Sequence, residues 1–394
     1  MYISEDVKFE TTGDFELGFE KVTRETNYHI VTPEIDSKGL VVYIPGYGDD
    51  ASDSYRQKFC QSIAEKHQLS VMTVDYHSIF SRADSGAVRS FERADLFQIR
   101  NLSYKYQVAT QSSNINEILA AVNERLVQLG TTEQVRMTGT PKKNEYQNGG
   151  IMSAVDIINA VNDALNRWNI PKDNIILIGS SYGGYLANLA AKLAPNTFRA
   201  VFDNSSWAKP YLGYIVGREV NFAEWHEWLL SNILLCESTR SCWTLQEGLP
   251  TTFNNNRIAV RSFGKEQLEQ YASYKPTTQY YCIHAFEDEV ADTSEKIAMV
   301  TEMLEHGIDT HMIVIEESDI DGSYIKTIKH GLGLSMQQFF DHGYQHIEQT
   351  KPLNNQPFET NFDQNSIIRY QSDQLDYVLD YSKVPVQGSV LSAS

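Results

Sequence analysis

Asn174-Ile-Ile-Leu-Ile178-Gly179-Ser180-Ser181-Tyr182-Gly183-Gly184-Tyr185 is the stretch on which the fold turns. Its first five residues form a short, nearly continuous apolar run, as in a strand buried on both faces. From Tyr182, and through Tyr185-Leu-Ala-Asn-Leu-Ala-Ala-Lys-Leu193, the composition is that of a helix. Ser181 falls where the one becomes the other, with Gly179 and Gly183 at the flanking positions and Gly184 adding room. A sharp strand-to-helix turn leaves no space for flanking side chains and lifts the serine hydroxyl clear of the sheet edge. The pattern predicts a nucleophile elbow with Ser181 at its tip. The plain alternative is a Gly-rich βα turn without chemistry.

Working outward, similar apolar runs recur at Gly39–Ile44, Ser70–Asp75, Arg199–Asp203, Gln279–Ile283 and Thr310–Ile315. Between them lie helical patterns. Ile115, Ile118, Leu119, Val122 and Leu126 are spaced for one helix, with Ser113 as its expected cap and Gly130 as its stop. Ile151, Ala154, Val155, Ile158, Val161 and Leu165 mark another, and residues 294–305 a third that ends at Gly307. This alternation predicts βαβ units around a mostly parallel sheet with helices on both faces. Two stretches, about 77–145 and 204–276, read as insertions. The second carries Trp207, Tyr211, Tyr214, Trp225, Trp228 and Trp243 at the carboxyl end of a strand, where active-site rims are built. It reads equally as a lid or as an extension with its own small core. The chain is expected to form one domain over 1–394. The polar segment 348–394, with one expected strand at Ser366–Tyr370, has no assigned role.

Over roughly 38–345 the elbow and its strand order resemble the α/β-hydrolase superfamily, whose catalytic residues run Ser, acid, His along the chain. His284-Ala-Phe-Glu-Asp288-Glu-Val290 resembles that superfamily's H-G-x-x-D-x-x-V loop, with Ala285 in place of glycine. The resemblance implies Asp288 as the acid, and Glu287, Asp292 and Asp203 stay open as alternatives. His330-Gly331, after the Thr310 strand, implies His330 as the base, with His342 and His346 as rivals. His29, His67 and His77 read as structural. An oxyanion requires two preorganised N–H donors. The backbone of Tyr182 supplies one, and that of Tyr47, in Pro45-Gly46-Tyr47-Gly48, is the expected second. The Tyr47 phenol is an alternative donor.

The balance of the composition narrows partners and compartment. A formal charge of −18 with no basic cluster argues against nucleic acid and anionic membranes. No apolar run reaches the roughly 18–20 residues of a membrane span. Met1-Tyr-Ile-Ser-Glu-Asp-Val lacks the basic and apolar regions of a signal peptide, so a cytoplasmic protein is expected. Its 4 cysteines show neither a disulfide framework nor a Cys/His metal spacing. No metal and no organic cofactor is implied.

Gly179-Ser-Ser-Tyr-Gly-Gly-Tyr185 also resembles the elbow of prolyl-oligopeptidase-type enzymes, though the roughly 40 residues before the hydrolase-like region cannot build that branch's propeller. A closer resemblance lies in Lys143-Asn-Glu-Tyr-Gln-Asn148, Ile151-Met152, Asp156-Ile157, the elbow and Asp203-Asn-Ser-Ser206. These are similar to a family of uncharacterised bacterial hydrolase-fold proteins encoded near flagellin-glycosylation genes. The polar stretch Lys142–Asn148 reads as a helix-entry network as readily as a substrate contact. Together the residues and resemblances imply a serine esterase or acyl hydrolase acting on a small-molecule ester or an acylated sugar. An acyltransferase with the same triad, a peptidase of short substrates, and a silent binding protein are the alternatives.

Overall fold

The computed structural model describes residues 1–48, 54–108, 113–350, 353 and 358–393. They form two compact units, Met1–Ile79 with Gly149–Pro210 and Phe253–Ser394, and Phe80–Asn148 with Tyr211–Thr252.

The first unit is built on an eight-stranded sheet: β1 (Tyr2–Thr11), β2 (Arg24–Pro33), β3 (Leu40–Ile44), β4 (Ser70–Val74), β5 (Ile175–Ser180), β6 (Ala200–Asn204), β7 (Gln279–Ala285) and β8 (Thr310–Ile315). Their order across the sheet is β1-β2-β4-β3-β5-β6-β7-β8. The hairpin of β1 and β2 joins β4 antiparallel, and β4, β3 and β5 to β8 run parallel. This is the α/β-hydrolase arrangement. All five residues of β3, and all five of β4, are buried, so their sequences are apolar without alternation. By contrast β1 alternates exposed and buried positions, because its outer face meets water.

On one face Phe59 and Ile63 of the helix Ser54–His67, and Phe339 and Phe340 of the helix Met336–Gln349, pack on Val71, Ile176, Phe202 and Ile283. Residues alternate between faces along a strand. Leu40, Val42, Leu177 and Val201 therefore point the other way, toward helices Ile151–Arg167 and Tyr182–Leu193. Every residue of the latter helix is buried. Each large side chain buried in these layers stabilises the unit by about 1.5–3 kcal/mol.

The sheet's order reverses at β3. The chain steps outward to β4, then returns to place β5 on the other side of β3. In parallel sheets such a reversal opens a crevice at the strands' carboxyl ends. Ile44 pairs with Gly179 in register, so the turns carrying Tyr47 and Ser181 leave the sheet side by side.

The second unit assembles both insertions. Its four strands, in the order Val88–Ser90, Glu133–Thr140, Ile233–Thr239 and Trp225–Leu230, draw on both sequence segments. Val135, Ile233 and Leu235 pack against Ile99 and Leu102 of the helix Arg93–Lys105 and Ile118, Val122 and Leu126 of the helix Ile115–Leu129. That helix is capped by Asn114, which accepts from the Asn116 N–H, in place of the expected Ser113; Gly130 closes it with φ +63°.

The second insertion ends earlier than its sequence suggested. The segment expected to run to 276 folds with the first unit from Phe253 onward. Its helix Asn255–Arg261 supplies Arg257 and Arg261 to the buried Glu16, at 3.2 and 2.5 Å. Burial pushes the Glu16 carboxyl up, but the two guanidiniums outweigh it and hold it below its ordinary range. Tyr377 joins this cluster from the C-terminal segment. That segment contains three antiparallel strands, Ile367–Gln371, Leu375–Asp380 and Gln387–Ser392, where the sequence suggested one. Tyr370 and Tyr381 donate to the carbonyls of Lys192 and Leu193, fastening it to the end of the elbow helix.

Candidate active site

Ser181 stands at φ 57°, ψ −125°, between β5 and the helix Tyr182–Leu193. A side chain at Gly183 would place Cβ 2.1 Å from the Ile44 carbonyl oxygen, and one at Gly179 would lie 2.3 Å from the Gly183 carbonyl carbon. The two glycines are thus what lets the turn close. The Ser181 N–H donates to the Asn204 carbonyl at 2.8 Å, fixing the elbow to the end of β6.

His330 Nε2 lies 2.7 Å from Ser181 Oγ. Its Nδ1 lies 2.9 and 3.0 Å from the two oxygens of Asp288. The carboxylate demands a donor, so Nδ1 carries the proton and Nε2 is left to accept from the serine. Asp288 also accepts from the N–H groups of Val290 and Ala291, each at 2.9 Å. Burial alone pushes its carboxyl up, but the bonds from His330, Ala291 and Val290 prevail and hold it below the usual carboxylate range. It stays ionised.

The alternative acids have other places. Asp203 is fully buried beneath the elbow and pairs with Lys296. It also accepts from Asn188 and Ser206 at 2.6 and 2.7 Å. Burial raises its carboxyl, yet the ammonium keeps it below its ordinary value. Asp292 caps the helix Thr293–Glu305 by accepting from the Glu295 N–H, and Glu287 is exposed. Of the rival histidines, His342 stacks on Tyr324 and His346 on His311, both on the helix Met336–Gln349.

The Tyr182 backbone opens the elbow helix, where the helix dipole favours negative charge. Tyr47 sits in the turn after β3 with its ring edge-on to that of Tyr182, centroids 5.5 Å apart. Tyr76 donates to the carbonyls of Pro45 and Gly46 at 2.9 and 3.0 Å and so braces that turn. Sequence reasoning passed over Tyr76. Trp207, which the sequence left open between a lid and an extension with its own small core, belongs to the first unit. Its indole lies nearly parallel to the His330 ring (28°, centroids 6.3 Å) and donates to the Val290 carbonyl at 2.8 Å. Its place just past the carboxyl end of β6 was the available signal.

In the Lys142–Asn148 stretch, Gln147 donates to the Arg240 carbonyl and Asn148 accepts from the Trp243 indole, all within the second unit. Among the described residues there is no cluster of three or more His, Cys, Asp or Glu able to hold a metal ion. Nor, among them, is any helix long and apolar enough to cross a membrane.

A family described as a protein of unknown function, DUF2920, matches residues 7–386. The chain belongs to this family. No protein of curated function matches the DUF2920 chain. Among solved structures it is similar to the uncomplexed acylaminoacyl peptidase of Pyrococcus horikoshii, at 14% identity and a TM-score of 0.49. That alignment covers 90% of this chain but 43% of the peptidase, so the DUF2920 chain spans less than half of its length. It is also similar to an esterase of Rhizomucor miehei (13% identity, TM-score 0.43, 88% of this chain and 82% of that one). An esterase of Pyrococcus furiosus gives 10% identity, a TM-score of 0.43, and coverage of 87% and 90%.

Proposed function

We propose that this DUF2920 chain is a serine hydrolase that cleaves carboxylic esters through an acyl-enzyme. The observation that carries the reading is the contact of Ser181 Oγ with His330 Nε2, at 2.7 Å, with Nδ1 held on Asp288. A serine hydroxyl is a weak nucleophile until a neighbouring base takes its proton. As Ser181 Oγ bonds to the ester carbonyl carbon, its proton passes to His330 Nε2, and Asp288 stabilises the imidazolium without taking the proton. The oxyanion is received by the backbone N–H groups of Tyr182 and Tyr47. When the tetrahedral adduct collapses, His330 returns the proton to the departing alcohol. Water then repeats the cycle and releases the acid and the free serine.

The resemblance to hydrolase-fold proteins encoded near flagellin-glycosylation genes favours acylated sugars as the substrate class. A fluorophosphonate probe is expected to label the full chain and to leave Ser181→Ala unlabelled; an unlabelled wild type would remove the hydrolytic reading. A panel of p-nitrophenyl esters and acetylated sugars then sets the substrate. A burst followed by slow turnover that a free sugar accelerates identifies acyl transfer as the physiological outcome. The elbow Ser181-Tyr-Gly-Gly-Tyr185 supports a second reading, a peptidase, which predicts faster cleavage of aminoacyl naphthylamides than of acyl esters.

A further inference from the structure

The two reacting side chains approach from separate parts of the chain, and one side chain touches the backbone neighbour of each. Asn204, the last residue of β6, donates from Nδ2 to Ser180 Oγ at 2.9 Å and to the Gly331 carbonyl at 3.1 Å. A carbonyl is satisfied only by a donor, so both amide hydrogens are committed. The Asn204 carbonyl accepts from the Ser181 N–H at 2.8 Å, and its Oδ1 accepts from the Ser205 hydroxyl at 3.0 Å. The Ser205 hydroxyl in turn accepts from the Gly331 N–H at 3.2 Å. Gly331 is thereby held on both its N–H and its carbonyl by two consecutive residues, which are buried to within 1% of full coverage. Ser205 adopts φ 55°, the left-handed region that non-glycine residues seldom enter, and this turns its hydroxyl toward Gly331.

We propose that Asn204 and Ser205 are positioning residues that lock the base to the nucleophile. The inference rests on the serine-hydrolase reading above. Asn204 touches the residue before Ser181 and the residue after His330, and thus sets the separation of Oγ and Nε2 through two backbones. Without it, of its side-chain ties among the described residues the Gly331 peptide would keep only that of its N–H to Ser205, and no side chain would join it to the residue before Ser181. A misplacement of about 1 Å in a catalytic group costs on the order of 10²-fold in rate. An effect on the chemical step alone lowers kcat and leaves KM where it was.

The test is hydrolysis of p-nitrophenyl acetate by the full chain as wild type, Asn204→Ala, Asn204→Asp, Ser205→Ala, Ser180→Ala and the Asn204→Ala/Ser205→Ala double variant, with thermal unfolding of each. Asn204→Asp keeps the side chain's size but exchanges the donor for an acceptor. The expected result is a fall in kcat on the order of 10²-fold in both Asn204 variants at unchanged KM. A smaller loss, about severalfold for one lost hydrogen bond, is expected in Ser180→Ala. The double variant should lose much less than the product of its single losses, because both residues hold the same peptide. The proposal is overturned by kcat within about twofold of wild type in Asn204→Ala, by a rise in KM alone, or by multiplicative losses in the double variant. Should Asn204→Ala not fold, Ser205→Ala and Ser180→Ala decide, since wild-type kcat in both defeats the lock. A wild type without turnover or labelling defeats the hydrolase reading and the lock together, whereas an active wild type with an equally active Asn204→Asp defeats the lock alone.

Discussion

Ser181 and Ser335 occupy the same helical position and put it to opposite uses. Each is the residue before the first turn of a helix, Tyr182–Leu193 in one case and Met336–Gln349 in the other. Ser335, at φ −76°, ψ 108°, turns its hydroxyl onto its own helix and accepts from the Gln338 N–H. Ser181, at φ 57°, ψ −125°, makes no such cap; its hydroxyl points to His330. The backbone angle makes the difference, and the glycines on either side of Ser181 make that angle possible. One serine stabilises a helix, and the other forgoes that stabilisation to meet a histidine.

The comparison extends to the segments around them. The elbow is short and regular, a strand, a turn and a helix. The segment 316–335 holds only one 3-10 turn, Glu317–Asp319, and is shaped by side-chain ties. Asp321 gathers the N–H groups of Ser323, Tyr324 and Ile325, while Ile325 and Leu332 are buried in the core. Rigidity comes from local backbone geometry in the first region and from tertiary anchoring in the second.

The largest effect that would sharpen this contrast is expected from Asp288→Asn, which leaves the elbow untouched and frees the base to take the wrong tautomer. Steady-state ester hydrolysis should show kcat lower on the order of 10⁴-fold. The same variant has a stability signature. The Asp288 carboxyl is held below its ordinary value in the folded protein. Its contribution is therefore fully present above the unfolded value of about 3.9 and is lost as pH falls through the lower folded value. Urea unfolding of wild type and variant should differ at neutral pH and converge in acid below about pH 4; a constant difference would contradict the assignment.

The opposite side of the comparison is addressed by Lys296→Met. It removes the counter-ion of Asp203 beneath the elbow, leaving an uncompensated buried carboxylate, and should destabilise the chain by about 3–5 kcal/mol in urea titrations. The smallest effect separates the two serines themselves. Ser335→Ala should lose about 1 kcal/mol of stability, the ordinary worth of an N-cap, and keep ester turnover. Ser181→Ala should lose turnover and keep its unfolding midpoint. A midpoint that drops equally in both would show that the two hydroxyls support their helices alike.

Much of the parallel sheet was readable because its strands are covered on both sides and announce themselves as apolar runs. β1 and β2 escaped that reading, since Glu5, Asp6, Lys8 and Glu10 dilute the signal on a strand with a wet face. The second unit escaped it for a different reason. Its parallel pair joins Glu133–Thr140 to Ile233–Thr239, segments with no periodicity linking them along the chain. Asp288 was named through the likeness of its loop to the superfamily's, supported by its place just beyond β7, which Glu287 and Asp292 share. His330 was named through family likeness, because an irregular loop carries no spacing that points inward. Asn204 offered only its position at the end of β6.

The sequence by itself determined where the chain turns from strand to helix at Ser181, since steric exclusion among neighbours such as Gly179 and Gly183 acts over a few residues. Tertiary structure alone decided that the imidazole of His330 lies 2.7 Å from that hydroxyl. Such a meeting depends on β5, β6, β7 and the segment beyond β8 being assembled together, and no local pattern encodes the distance between residues so far apart in the chain.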